Sequence, residues 1–195
     1  MERLKRDFST ISLVMIPVAI AINIAIGQLV YTLKLPLYLD SIGTIFVGAV
    51  AGPWVGALTG LLSNLIWGLS GLNPAYTAYA PVGMIVGLLA GIFSQLGWFK
   101  VWWRAIIAGV ITGLVAALIS APIYTYVSGG VTGSGTDVIT AVFRNAGFGI
   151  LPSAFAQGVS SDPLDKAISF FVVWLVVRGL PLRFLDRFSR AEDLR

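Results

Sequence analysis

Long apolar stretches separated by short polar or glycine-proline breaks run through the whole chain. Residues 11–32 carry no charge, 39–51 form a shorter run that stops at Gly52-Pro53, and 54–70 resume at once. Two further uncharged stretches, 78–98 and 105–127, precede a last run over 164–180 entered by Asp165-Lys166. A bilayer-crossing helix requires roughly 20 predominantly apolar residues. The pattern therefore predicts an all-α integral membrane protein with six transmembrane helices, residues 1–195 forming a single transmembrane domain. Pro53 suits the first turn of the third helix, where its missing N–H costs nothing.

The predicted connections are unequal on the two sides. Gly52-Pro53 and residues 99–104 are tight, whereas 33–38, 71–77 and above all 128–161 are longer. The long outer loop 128–161 opens with SGGVTGSGTD, a flexible, turn-rich segment. Residues 138–148 then alternate apolar and polar positions like a short surface helix, and Pro152 and Gln157 follow. A loop of this length is usually functional or disordered; its apolar residues predict a lid packed onto the outer mouth.

Composition supports the membrane reading. Of 195 residues, 57% are hydrophobic and 11% are charged, against about 25% charged in an ordinary soluble domain. Too few charges remain to clothe a water-facing shell. The chain has no cysteine and no histidine, which excludes disulfide scaffolds, His/Cys zinc sites, Ser-His-Asp catalysis and thiol redox. No catalytic residue, metal or cofactor is expected. Paired carboxylates could serve as acid and base, but Asp162 and Asp165 flank a helix start and Asp40 has no evident partner acid.

Charge then orients the spans. Ten basic residues, including Arg3, Lys5, Arg6, Lys100, Arg104, Arg178 and the C-terminal arginines, fall on one side, and only Lys34, Arg144 and Lys166 on the other. The excess of Lys and Arg in cytoplasmic loops predicts a multi-pass protein of the cell membrane with both termini in the cytoplasm. The net charge of +4 follows from topology and implies no nucleic-acid partner. The basic run 183–195 reads as a lipid-facing tail.

Polar and aromatic residues concentrate towards the outer side. Asp40, Asn64, Trp67, Asn73, Tyr76 and Tyr79 lie at or near the outer ends of the second, third and fourth spans. Tyr124 ends the fifth, and Asn145, Gln157 and Lys166 come from the long loop and the start of the sixth. Such convergence predicts a substrate-binding pocket open to the outside. The uncharged inner half argues against a continuous polar path. Any one aromatic could equally be an interfacial anchor, Asp165 could complement a helix dipole, and Lys166 could snorkel outward. Small residues form a second pattern, Ala21 and Ala25 on the first span and Gly48, Gly52, Gly56 and Gly60 across the next two. This spacing lets helices approach closely, within the chain or against another subunit.

The run LPLYLDSIGTIFVGAVAGPWVGALTGLLSNLIWGL (35–69) resembles the second and third helices of the substrate-binding S components of energy-coupling factor (ECF) transporters. Ala21-x-x-x-Ala25 looks like the alanine motif through which that family docks its transmembrane coupling subunit, and DPLDKAISFFVVWLVVRGLP (162–181) is similar to its last helix. The resemblance implies a subunit that binds a small water-soluble vitamin or related micronutrient in an outward pocket. It would work with the coupling subunit and two cytoplasmic ATPases. The chain contains no G-x-x-x-x-G-K-[ST] phosphate loop, so ATP hydrolysis would belong to those partners. A solitary small-molecule carrier and a membrane sensory module are the alternatives.

Overall fold

The computed structural model describes residues 7–188 and 190–194. Among these residues every regular element is helical: α1 (Thr10–Thr32), α2 (Ile42–Ala51), α3 (Pro53–Leu69), α4 (Ala80–Gln95), α5 (Trp102–Tyr126), α6 (Asp137–Asn145), α7 (Ile150–Gly179) and α8 (Leu182–Leu185). Short 3-10 helices, Pro74–Tyr79, Trp98–Lys100 and Ala191–Leu194, occupy connections. Three stretches are long and apolar enough to cross a membrane: Thr10–Thr32, Pro74–Gln95 and Trp102–Tyr126. Large apolar side chains also cover the outside of the bundle, Leu13, Val14 and Val18 on α1 and Leu114 and Leu118 on α5 among them. Helices that are apolar on every side suit hydrocarbon rather than water, a surface compatible with a membrane protein.

Glycine sets the helix spacing. A Cβ on Gly60 of α3 would lie 1.9 Å from the Gly83 carbonyl oxygen of α4, and one on Gly87 would lie 2.0 Å from that of Gly56. Gly48 of α2 meets the same helix, its absent Cβ 2.7 Å from Gly87 O. The glycine stripe is thus consumed by packing inside the chain. A second stripe does the same for α5 and α7: a Cβ on Gly109 would lie 2.5 Å from Lys166 O, and one on Gly113 2.4 Å from Asp162 O. Backbones this close gain dispersion contacts along their whole length. By contrast, Ala21 and Ala25 lie on the exposed side of α1.

One buried amide ties the first three helices. Asn23 of α1 donates to Thr44 Oγ1 at 2.8 Å and Ser63 Oγ at 2.9 Å, while its Oδ1 accepts from Gly43 N at 2.7 Å. Every polar group of this side chain is engaged, as a site at this depth demands.

Two expectations are corrected at the chain's C-terminal part. The helix of the last predicted span starts at Ile150, not near 164, so only 127–149 connect α5 to α7 and α6 interrupts that connection. Pro163 reads as a breaker because its ring costs a helix one hydrogen bond; here α7 continues through it, with the Pro163 turn seated against Gly113. The polar residues Gln157, Ser161 and Asp162, which disguise this part of the helix, are buried. The basic tail, likewise, is not simply lipid-facing. Leu185, Phe188 and Leu194 are buried with the core, and Arg190 donates to Asp7 Oδ1 through Nη2 at 2.9 Å and Nε at 3.2 Å. The Asp7 carboxyl occupies the space above Gly52 (φ +113°), where a Cβ would lie 2.6 Å from its Cγ. The two ends of the described chain therefore close over the Gly52-Pro53 turn.

Candidate functional site

The opposite end of the bundle encloses a cavity. Its walls come from the α1–α2 connection, the C-terminal halves of α3 and α5, the 3-10 helix Pro74–Tyr79, the first turns of α4 and the first half of α7. The empty space, open mouth included, is ≈ 850 Å³.

Eight of the ten expected binding residues line this cavity: Asp40, Asn64, Asn73, Tyr76, Tyr79, Tyr124, Gln157 and Lys166. Asn64 donates to the Tyr79 carbonyl at 2.9 Å, holding the end of the 3-10 helix against α3. Asn73 caps that helix, its Oδ1 accepting from Ala75 N at 3.2 Å. The two amides therefore shape the wall as well as face the cavity.

Trp67 and Asn145 do not line it. Trp67 is 1% exposed and stands behind Tyr76, ring centroids 3.9 Å apart and planes 16° from parallel. Gly27 of α1 makes room for the indole, since a Cβ there would lie 2.4 Å from it. Trp67 thus braces a wall residue. Asn145, the last residue of α6, is exposed on a separate shallow concavity with Arg144 and Gly129, because α6 lies outside the bundle.

Asp162, one of the polar residues at the start of the last span, lines the cavity as well, and so do Tyr31, Tyr38, Ser120, Thr132 and Ser134, which sequence reasoning missed. Tyr38 Oη accepts from Gln157 Nε2 at 3.1 Å and pairs with Thr136 Oγ1 at 3.0 Å. Burial holds the Tyr38 hydroxyl well above the ordinary phenol range, the Asp162 carboxylate adding to the effect, so it stays neutral. Residues 128–136, read from sequence as flexible, are tied down. Asp137 Oδ2 accepts from Gly133 N at 2.7 Å and Thr132 N at 3.0 Å, and its Oδ1 accepts from Tyr124 Oη at 2.8 Å. Tyr31 Oη donates to Thr132 O at 3.2 Å, and Lys34 Nζ donates to Gly133 O. The segment thus lies over the mouth, bonded to α1 and the residues just after it.

Charge gathers on α7. Asp165 is fully buried; its Oδ2 accepts from Lys166 Nζ, and its Oδ1 accepts from Tyr38 N and Leu39 N. Lys166 Nζ also lies 3.3 Å from Asp40 Oδ1. Consecutive residues on one helix thereby anchor the α1–α2 connection. Asp162, one turn earlier, has hydroxyl partners alone among the described residues: Ser120 Oγ and Ser161 Oγ, each at 3.3 Å.

Comparison of the chain with family models, curated proteins and solved structures finds no match.

Proposed function

We propose that this chain is a membrane-embedded receptor for a small water-soluble nutrient, a vitamin or related micronutrient. It would serve ATP-driven uptake as the substrate-binding subunit of an ECF-type transporter. The observation that carries the reading is the cavity at one end of the bundle, walled by tyrosines and amides from separate helices and roofed by a hydrogen-bonded loop. Apolar walls with a few placed polar groups are what a small-ligand site requires.

In this reading α1–α5 and α7 supply six membrane-crossing elements, with both termini cytoplasmic and the cavity facing outward. The distribution of charge supports that orientation: Lys100, Arg104, Arg178 and Arg190 lie at the end away from the cavity, as cytoplasmic basic residues do. Energy would come from partners, a transmembrane coupling subunit and two ATPases. Ala21 and Ala25, exposed on α1, are the proposed docking face, where small side chains permit close helix contact.

Affinity purification of the tagged full chain from its native membranes tests this role. The expected result is co-purification of a multi-span subunit with two ATP-binding subunits, lost when Ala21→Trp and Ala25→Trp are combined. A chain that purifies alone, yet supports uptake after reconstitution into vesicles without ATP, is a solitary carrier and contradicts the proposal.

A further inference from the structure

The cavity carries an imbalance of charge that the rest of the molecule does not resolve. Asp40, Asp162 and Lys166 line it, and Asp165 lies directly behind. Lys166 is the one cation among the lining residues, and it is engaged by both Asp40 and Asp165. Two of its three N–H donors are thereby committed, and its single charge is more than matched by the two carboxylates. The Lys34 ammonium at the rim is held by the Gly133 carbonyl and the Tyr31 ring.

Asp162 is the unresolved group. It is 5% exposed, it faces the cavity, and among the described residues it makes no ion pair. Its two bonds are to hydroxyls at 3.3 Å, long for charge-assisted contacts. A carboxylate in such a place is costly to bury without a directly paired counter-charge, and the Lys166 ammonium, one turn along α7, acts on it only through space. The phenol rings of Tyr38, Tyr79 and Tyr124 line the same cavity, and such faces attract cations and stack on flat rings.

We infer that the ligand is a small organic cation, a flat ring bearing a protonated amine or a fixed cationic nitrogen, whose positive group pairs with Asp162 between the tyrosines. This inference rests on the receptor reading above and specifies the ligand class for the same cavity. Ser120 and Ser161 would keep the carboxylate oriented, and the Asp40–Lys166–Asp165 group would remain a structural anchor.

The test uses three isosteric probes, benzylamine, benzyl alcohol and benzoate. Their affinities are measured by calorimetry on the purified full chain at neutral pH and constant ionic strength. Benzylamine is expected to bind about ten- to a hundredfold more tightly than benzoate, the difference that one hydrogen-bonded charge pair supplies. In Asp162→Asn, which preserves the shape and one oxygen acceptor, that preference should collapse, with benzyl alcohol still bound as the check that the cavity is intact. Benzoate binding as tightly as benzylamine, in the wild-type chain, overturns the charge assignment and leaves the receptor reading standing. An amine preference that survives in Asp162→Asn overturns the role of Asp162. If none of the three binds and no small molecule is retained by the purified chain, the receptor reading falls and the inference with it.

Discussion

Asp165 Oδ1 accepts hydrogen bonds from the backbone N–H groups of Tyr38 and Leu39, at 2.9 and 2.7 Å. One carboxylate on α7 thereby holds a turn some 126 residues earlier in the chain. The turn needs holding, because Leu39 adopts φ +49°, a left-handed conformation that costs a residue with a Cβ about 1–2 kcal/mol. The other oxygen of Asp165 faces Lys166, so fold and site meet in this side chain. Asp165→Ala would leave the Lys166 ammonium with Asp40 alone and two backbone donors without their acceptor. Breaking a buried pair costs about 3–5 kcal/mol, and a large fall in the thermal unfolding midpoint in detergent is expected. Asp165→Asn, which can still accept from the loop, should fall less. Equal, small losses in both variants would show that the loop is held by something else.

The close packing of α3 on α4 makes a paired prediction. Gly60→Ala would place a Cβ 1.9 Å from the Gly83 carbonyl oxygen, between two backbones that cannot both yield. A loss of about 1–3 kcal/mol, the usual cost of overpacking, is expected. Gly179→Ala is the control: nothing lies within 4 Å of its Cβ position and the residue is helical. Alanine there should leave stability unchanged or raise it by up to about 1 kcal/mol. Unfolding in detergent with matched denaturant series measures both.

A third prediction concerns the end away from the cavity. Arg190→Ala would leave the Asp7 carboxyl buried over Gly52 without its guanidinium. The tail should then detach, exposing Leu185, Phe188 and Leu194. Hydrogen exchange should report faster exchange over 182–194, with α3 and α4 still protected. Protection unchanged along the tail would mean that its apolar side chains alone hold it.

Much of the site was legible in the sequence because polar residues in a greasy chain are few and stand out. Asn64, Asn73, Tyr76 and Tyr79 follow one another at the end of an apolar run, and the cavity lies where they cluster. What stayed hidden has physical causes. The first half of α7 reads as a loop since its face toward the cavity is polar and Pro163 imitates a helix end. Asp162 is visible as a residue, but that no ion pair reaches it among the described residues is a property of three dimensions. Trp67 looks like a contact residue; only the stack on Tyr76 shows it one layer back. The tail's apolar residues, Leu185, Phe188 and Leu194, are masked in sequence by the arginines between them.

Exposed and buried small residues also separate only in the fold. Gly56, Gly60, Gly109 and Gly113 are all used in helix contacts within the chain, whereas Ala21 and Ala25, with similar spacing, remain on the outer side of α1.

The central claim, that this cavity holds a small solute, is tested most directly by native mass spectrometry of the full chain purified from cells grown in rich medium. The account predicts one small molecule retained per chain. It also predicts loss of that molecule from the double variant Tyr76→Ala, Gln157→Ala, which removes two walls of the cavity. A wild-type chain observed only at its bare mass, or a double variant carrying the same molecule at the same occupancy, would contradict it.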